Sequence, residues 1–176
     1  AKIELAVEQY MTQNKMADAL EGYDWEFNLI QDDAMVNAWC MAGGKMAIYT
    51  GLLEKLEATD DELAQVMGHE ISHALANHTA EQMSVAMASS IGVVAVGVAA
   101  GDNKGVALTG AAAAAALAVQ MPNSRSAESE ADRIGIELAA KAGYDPRAAI
   151  TLWQKMAKAG GSRPPEFLST HPSPEN

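Results

Sequence analysis

The sequence predicts an α+β domain, mostly helical, with a small β-sheet preceding a central helix that carries the pattern His69-Glu70-Ile71-Ser72-His73. Three observations predict it. Apolar residues recur at helical spacing through most of the chain. Three short strand-like runs joined by turns fall between residues 23 and 50. The stretch from residue 59 to 78 joins a helix-start signal to the paired histidines. At 176 residues the chain reads as one domain, residues 1–176, long enough to bury a sizeable core.

Residues 2–20 space Ile3, Val7, Tyr10, Met11, Ala17 and Leu20 as an amphipathic helix, which Gly22 ends. Residues 23–30 alternate as a strand, residues 35–41 form a second after the Asp32-Asp33 turn, and residues 45–50 form a third after Ala42-Gly43-Gly44. Together these predict a small antiparallel or mixed sheet. The segment from Gly44 to Tyr49 is the expected free edge, where an extended peptide can add as a strand through main-chain hydrogen bonds. A short helix begins at Gly51. Thr59 and Glu62 then have capping-box spacing, and Leu63, Val66, Met67, Ile71, Ala74 and Leu75 continue at helical intervals.

After His78 the chain is apolar and rich in Ala and Gly over residues 83–121, broken by residues 101–105. This reads as a helical hairpin. Its arms, of about seventeen residues each, are at the lower limit for crossing a bilayer, and burial against the catalytic helices or a lid over the cleft is expected instead. Residues 125–142 form another amphipathic helix, stopped by Gly143. Asp145-Pro146 should start the last helix, with a cap and a proline at its first position, and a proline-rich tail occupies residues 162–176.

Histidines four apart on a helix lie about 40° apart around its axis, so His69 and His73 can face one metal ion. Glu70 adjoins the first ligand, where its carboxylate can reach the attacking water as general base. A catalytic zinc takes three protein ligands. Thr79 and Ala76 stand where a third histidine six residues on, and its accompanying glycine, would be, which removes that solution. His78, on a continuing helix, would point 180° from His69, so it is read as structural or as support for a ligand. The other solution takes a carboxylate from a later helix. Glu128 and Asp132, four apart, share a face on which Glu128 can bind zinc while Asp132 accepts the N–H of a ligand histidine. Glu130 points elsewhere and reads as an exposed charge.

The formal net charge is −11, which disfavours nucleic acid and anionic membrane surfaces as partners. Cys40 is the only cysteine, so neither an intrachain disulfide nor a cysteine-based zinc cluster is open to the chain. Both ends read as cut points, and any membrane association is expected from a segment ahead of Ala1.

The runs HEISHALANH, RSAESEADRIG and AGYDP, the earlier VNAW and GGKMAIYTGLL, and the terminal STHP together resemble peptidase family M48, gluzincin metallopeptidases that include the prenyl-protein proteases. The likeness, covering residues 36 to 172 in order, is to the soluble periplasmic branch, itself related to a mitochondrial inner-membrane protease. It implies a zincin-like fold, one Zn2+ per chain held by His69, His73 and Glu128, and Asp132 as the partner of a ligand histidine. It also implies a role for His171, as a plug on the zinc or a group near the substrate oxyanion. Arg125, three before Glu128, is a second candidate for that oxyanion or else pairs with a nearby carboxylate. The expected activity is zinc-dependent endoproteolysis of extended or misfolded envelope proteins in the bacterial periplasm, with association to the outer membrane. The competing expectation is a chaperone-like module that binds unfolded or outer-membrane proteins and cleaves rarely; Glu70 discriminates, since a pure binder needs no base beside the metal. A closed structural zinc site, usually rich in cysteine, is disfavoured in a chain with one cysteine.

Overall fold

The computed structural model describes residues 2–78, 84, 125–159 and 171. The expected hairpin at 83–121 and the tail at 162–176 therefore lie outside the described residues, apart from Ser84 and His171. The elements run α1 (Lys2–Gln13), a 3-10 turn (Ala17–Leu20), β1 (Glu26–Ile30), β2 (Ala38–Met41), β3 (Lys45–Tyr49), α2 (Thr50–Leu56), α3 (Asp60–Leu75), α4 (Arg125–Lys141) and α5 (Ala148–Ala159). This is the α+β arrangement expected, with the sheet ahead of the histidine helix. Among the described residues, no helix is long and apolar enough to cross a membrane.

Several boundaries differ from the sequence reading. The first helix stops at Gln13, because Lys15 takes a positive φ of 59° and turns the chain. The last begins at Ala148 rather than at Pro146. The Asp145 carboxylate accepts hydrogen bonds from the Arg147 backbone N–H at 2.9 Å and from its guanidinium, so the expected cap and proline sit in a turn that leads into the helix.

The sheet is mixed, in the order β1-β3-β2, with β1 parallel and β2 antiparallel to β3. The β2–β3 turn places Gly43 and Gly44 both at φ 89°, a conformation that costs glycine little. This order corrects one expectation. The segment from Gly44 to Tyr49 is not a free edge, because β3 is the central strand and its backbone is paired on both sides. Among the described residues, the outer edges of β1 and β2 are the ones without a strand partner, and β2 packs on α3.

Helix α3 is the axis of the fold. Its start is the expected capping box: Thr59 Oγ1 accepts from the Glu62 backbone N–H at 3.3 Å, and Glu62 Oε2 accepts from the Thr59 N–H at 2.9 Å. Twelve of its sixteen residues are buried, so it is enclosed on nearly every side. One apolar cluster joins α1, the sheet, α3 and α4 through Val7, Met11, Met46, Ile71 and Leu138. A second joins α2, α3 and α5 through Leu52, Leu56, Val66, Leu152 and Met156.

The buried Glu62 also ties α3 to α5, accepting from Lys155 Nζ and from Thr151 Oγ1, each at 2.7 Å. Burial disfavours its charge, but Lys155, the Thr59 amide and Thr151 outweigh burial and hold the carboxyl below its ordinary value. A depressed folded-state pKa means stability that is present above the unfolded value of 4.5 and lost as pH falls through the folded one. Glu62→Gln is therefore expected to lower the melting temperature at pH 7, with the difference shrinking as pH falls below the unfolded value and through the depressed folded one.

Candidate metal centre

Helices α3 and α4 cross so closely that neither tolerates a side chain at the contact. A Cβ on Gly68 would lie 2.5 Å from the Gly135 carbonyl oxygen, and one on Gly135 would lie 2.7 Å from the His69 backbone nitrogen. This crossing brings Glu128 and Asp132 of α4 against the histidines of α3.

Nε2 of His69 and Nε2 of His73 are 3.1 Å apart. Glu128 completes the triangle, with Oε2 3.4 Å from His69 Nε2 and Oε1 3.3 Å from His73 Nε2. Donors held 2.0–2.1 Å from a common centre in a tetrahedral array lie about 3.3 Å apart, so the three separations suit a zinc-sized ion. The residues fit the metal on a second count: Glu128 Oε1 is buried without a hydrogen-bond partner. A buried carboxylate oxygen in that state costs free energy that a cation would recover.

The charge balance points the same way. Burial alone would strip the proton from His69, but the Asp132 and Glu128 carboxylates outweigh it and push its pKa up to about 10. Burial and the neighbouring imidazoles pull His73 down to about 2. Burial raises Glu70 to about 8, against the pull of His69. Three carboxylates, Glu70, Glu128 and Asp132, meet the histidines here, an excess of negative charge that a bound cation would offset.

Asp132 Oδ1 accepts from His69 Nδ1 at 2.9 Å, leaving Nε2 of His69 to face the cluster. Glu70 is buried beside it, with Oε1 lacking a hydrogen-bond partner. His171 is buried over the same point; its ring centroid lies 5.1 Å from those of both His69 and His73, and its Nε2 lies 3.5 Å from Glu70 Oε1. With His69, His73 and Glu128 it offers four donor atoms within 4.8 Å of one another. Arg125 is exposed at the start of α4, one turn before Glu128.

His78 does not point away from the site as a continuing helix would direct it. Helix α3 ends at Leu75, Asn77 takes φ 57°, and the chain folds His78 back so that its Nδ1 lies 2.9 Å from His73 Nδ1. Asparagine tolerates that left-handed conformation at helix ends, and this was the sequence signal for the turn. Glu130 is half exposed, as expected, but its Oε2 also reaches His78 Nε2 at 3.4 Å.

Two neighbouring features complete the surroundings. A cavity of about 220 Å³ opens beside His69 and Asp132, walled by Val66, Ile136, Ile150 and Trp153, with the buried and unpartnered Oε1 of Gln65. On the other side, β2 places Cys40 near Glu70. Burial, with that carboxylate, pushes the thiol up to about 12. A thiol-alkylating reagent is therefore expected to leave the native chain unmodified at pH 8 and to label Cys40 only on unfolding, read by intact mass.

Comparison with known proteins gives a consistent result. The sequence profile of peptidase family M48 matches residues 1–176. The mitochondrial metalloendopeptidase OMA1 of Arabidopsis thaliana is 40% identical over 154 residues, covering 88% of this chain and 30% of that protein. OMA1 of Saccharomyces cerevisiae is 37% identical over 166 residues, covering 88% and 45%. The beta-barrel assembly-enhancing protease of Escherichia coli is 33% identical over 161 residues, covering 86% and 32%. The chain thus spans less than half the length of these curated relatives. With the whole chain matched by the profile, it belongs to peptidase family M48.

Proposed function

We propose that this chain is the catalytic domain of a zinc-dependent endopeptidase that hydrolyses extended or misfolded polypeptides, with His69, His73 and Glu128 as metal ligands and Glu70 as general base. The observation that carries the reading is the convergence of three nitrogen and oxygen donor groups at tetrahedral spacing beside a buried carboxylate with an unpartnered oxygen. When bound, the ion supplies Lewis acidity, lowering the pKa of water toward neutrality and polarising the scissile carbonyl. Glu70 takes the proton of the attacking water on a carboxylate oxygen and passes it to the leaving amine. Asp132 holds the Nδ1–H of His69 and so keeps the lone pair of Nε2 directed inward. Arg125 and His171 are the candidate donors to the developing oxyanion. Substrate pairs with the outer edge of β2, next to Glu70, and the cavity at Val66 and Trp153 receives one of its side chains. The bacterial periplasm is the compartment inferred for this activity, and cell fractionation tests it.

Zinc-loaded chain is expected to fragment unfolded casein, to stop after chelation, and to resume on adding zinc. A second reading has its own observation. His171 lies where a catalytic site keeps an open position, which favours a latent enzyme that holds unfolded chains. His171→Ala is then expected to raise the initial cleavage rate several-fold. A fall in rate would make His171 part of the reacting machinery. Casein bound but uncut by both proteins would favour the binding module.

A further inference from the structure

We infer that His78 and Glu130 form a directional hydrogen-bond relay that fixes the tautomer and orientation of His73, making them positioning residues for the metal centre. The inference rests on the metal-site reading above and adds two residues that this reading does not use.

The direction of the relay follows from what each group can donate. An ionised carboxylate only accepts, so the His78 nitrogen facing Glu130 Oε2 at 3.4 Å, Nε2, carries the proton. A neutral imidazole has one donor and one acceptor nitrogen, so Nδ1 of His78 presents a lone pair. That lone pair faces His73 Nδ1 at 2.9 Å, which must therefore be the donor. His73 Nε2 is left with its lone pair toward His69 Nε2 and Glu128 Oε1, as a metal ligand requires. Reversing every proton would set a lone pair of His78 against the carboxylate and aim a His73 N–H at the metal position. Both ligand histidines then have an orienting carboxylate on α4: Asp132 reaches His69 directly, and Glu130 reaches His73 through His78. The turn at Asn77 is what makes the second arm possible, since an unbroken helix would carry His78 away from His73.

The test uses zinc-loaded, histidine-15N-labelled chain and long-range 1H–15N correlation spectra, which report which ring nitrogen holds a proton. The expected result is His73 protonated at Nδ1 and His78 protonated at Nε2 alone. His78 protonated at Nδ1, or at both nitrogens, overturns the relay. Zinc affinity measured by chelator competition gives an independent readout. His78→Ala is expected to weaken zinc binding about 10–100-fold, the effect typical of losing a partner that orients a ligand. His78→Asn should restore most of it, because its Oδ1 can accept at the place of Nδ1, and the half-exposed Glu130→Ala should weaken binding less. Equal affinity of His78→Ala and wild type overturns the inference, as does His78→Asn no better than alanine while the metal-free melting temperature is unchanged. His69→Ala is the control. Undiminished zinc binding there would overturn the metal-site reading and the relay with it, whereas a loss there alone would overturn only the relay.

Discussion

Glu70→Gln is expected to reduce casein cleavage by about 10²–10⁴-fold, the usual contribution of a positioned general base, while zinc still binds. The two side chains are nearly isosteric, and Glu70 is buried beside the histidines with Oε1 lacking a hydrogen-bond partner, so the packing is kept and the contact that weakens is the 3.5 Å approach of His171 Nε2. What the amide cannot do is take a proton from water. Initial cleavage rates and bound zinc, measured on the same samples, check this. Parallel loss of zinc and activity would assign Glu70 to the metal, and unchanged cleavage would remove it from the mechanism.

Gly135→Ala is the second large effect, and its sign opposes helix propensity. In an exposed helix interior the change stabilises by roughly 1 kcal/mol. Here the new methyl group would meet the His69 nitrogen at 2.7 Å and the Gly68 carbonyl carbon at 2.8 Å, both backbone atoms that cannot rotate aside. Ordinary contact begins near 3.4 Å, so α3 and α4 must separate by most of an ångström. The expected cost is about 1–3 kcal/mol of stability from overpacking. Because Glu128 rides on α4, the same shift pulls it from the histidines, and a misplacement of about 1 Å costs on the order of 10²-fold in rate. A lower melting temperature together with weakened zinc binding is predicted. A stabilised, fully active variant would contradict the crossing described here.

The sequence made the site more legible than its supports. His69, Glu70 and His73 follow from one local spacing, and Glu128 and Asp132 from another, because a helix converts a four-residue interval into a shared face. The Thr59 cap was equally local. The sheet order was not, since the same three strands can be ordered with β3 at an edge or in the centre, and only tertiary packing chooses. His78 was misdirected by extending α3 three residues past its end at Leu75, where Asn77 reverses the chain. Gly68 and Gly135 were silent because their importance lies in an approach between two helices 67 positions apart in the chain.

Hydrolysis dependent on one metal ion at His69, His73 and Glu128 is open to direct test. The most direct measurement titrates metal-stripped chain with zinc, following bound zinc by native mass spectrometry and casein cleavage in the same samples, beside Glu128→Ala. Cleavage is predicted to rise with occupancy and to level at one zinc per chain, with Glu128→Ala neither holding zinc comparably nor cleaving. Cleavage by stripped protein that zinc does not change, or full zinc binding by Glu128→Ala, would contradict the account.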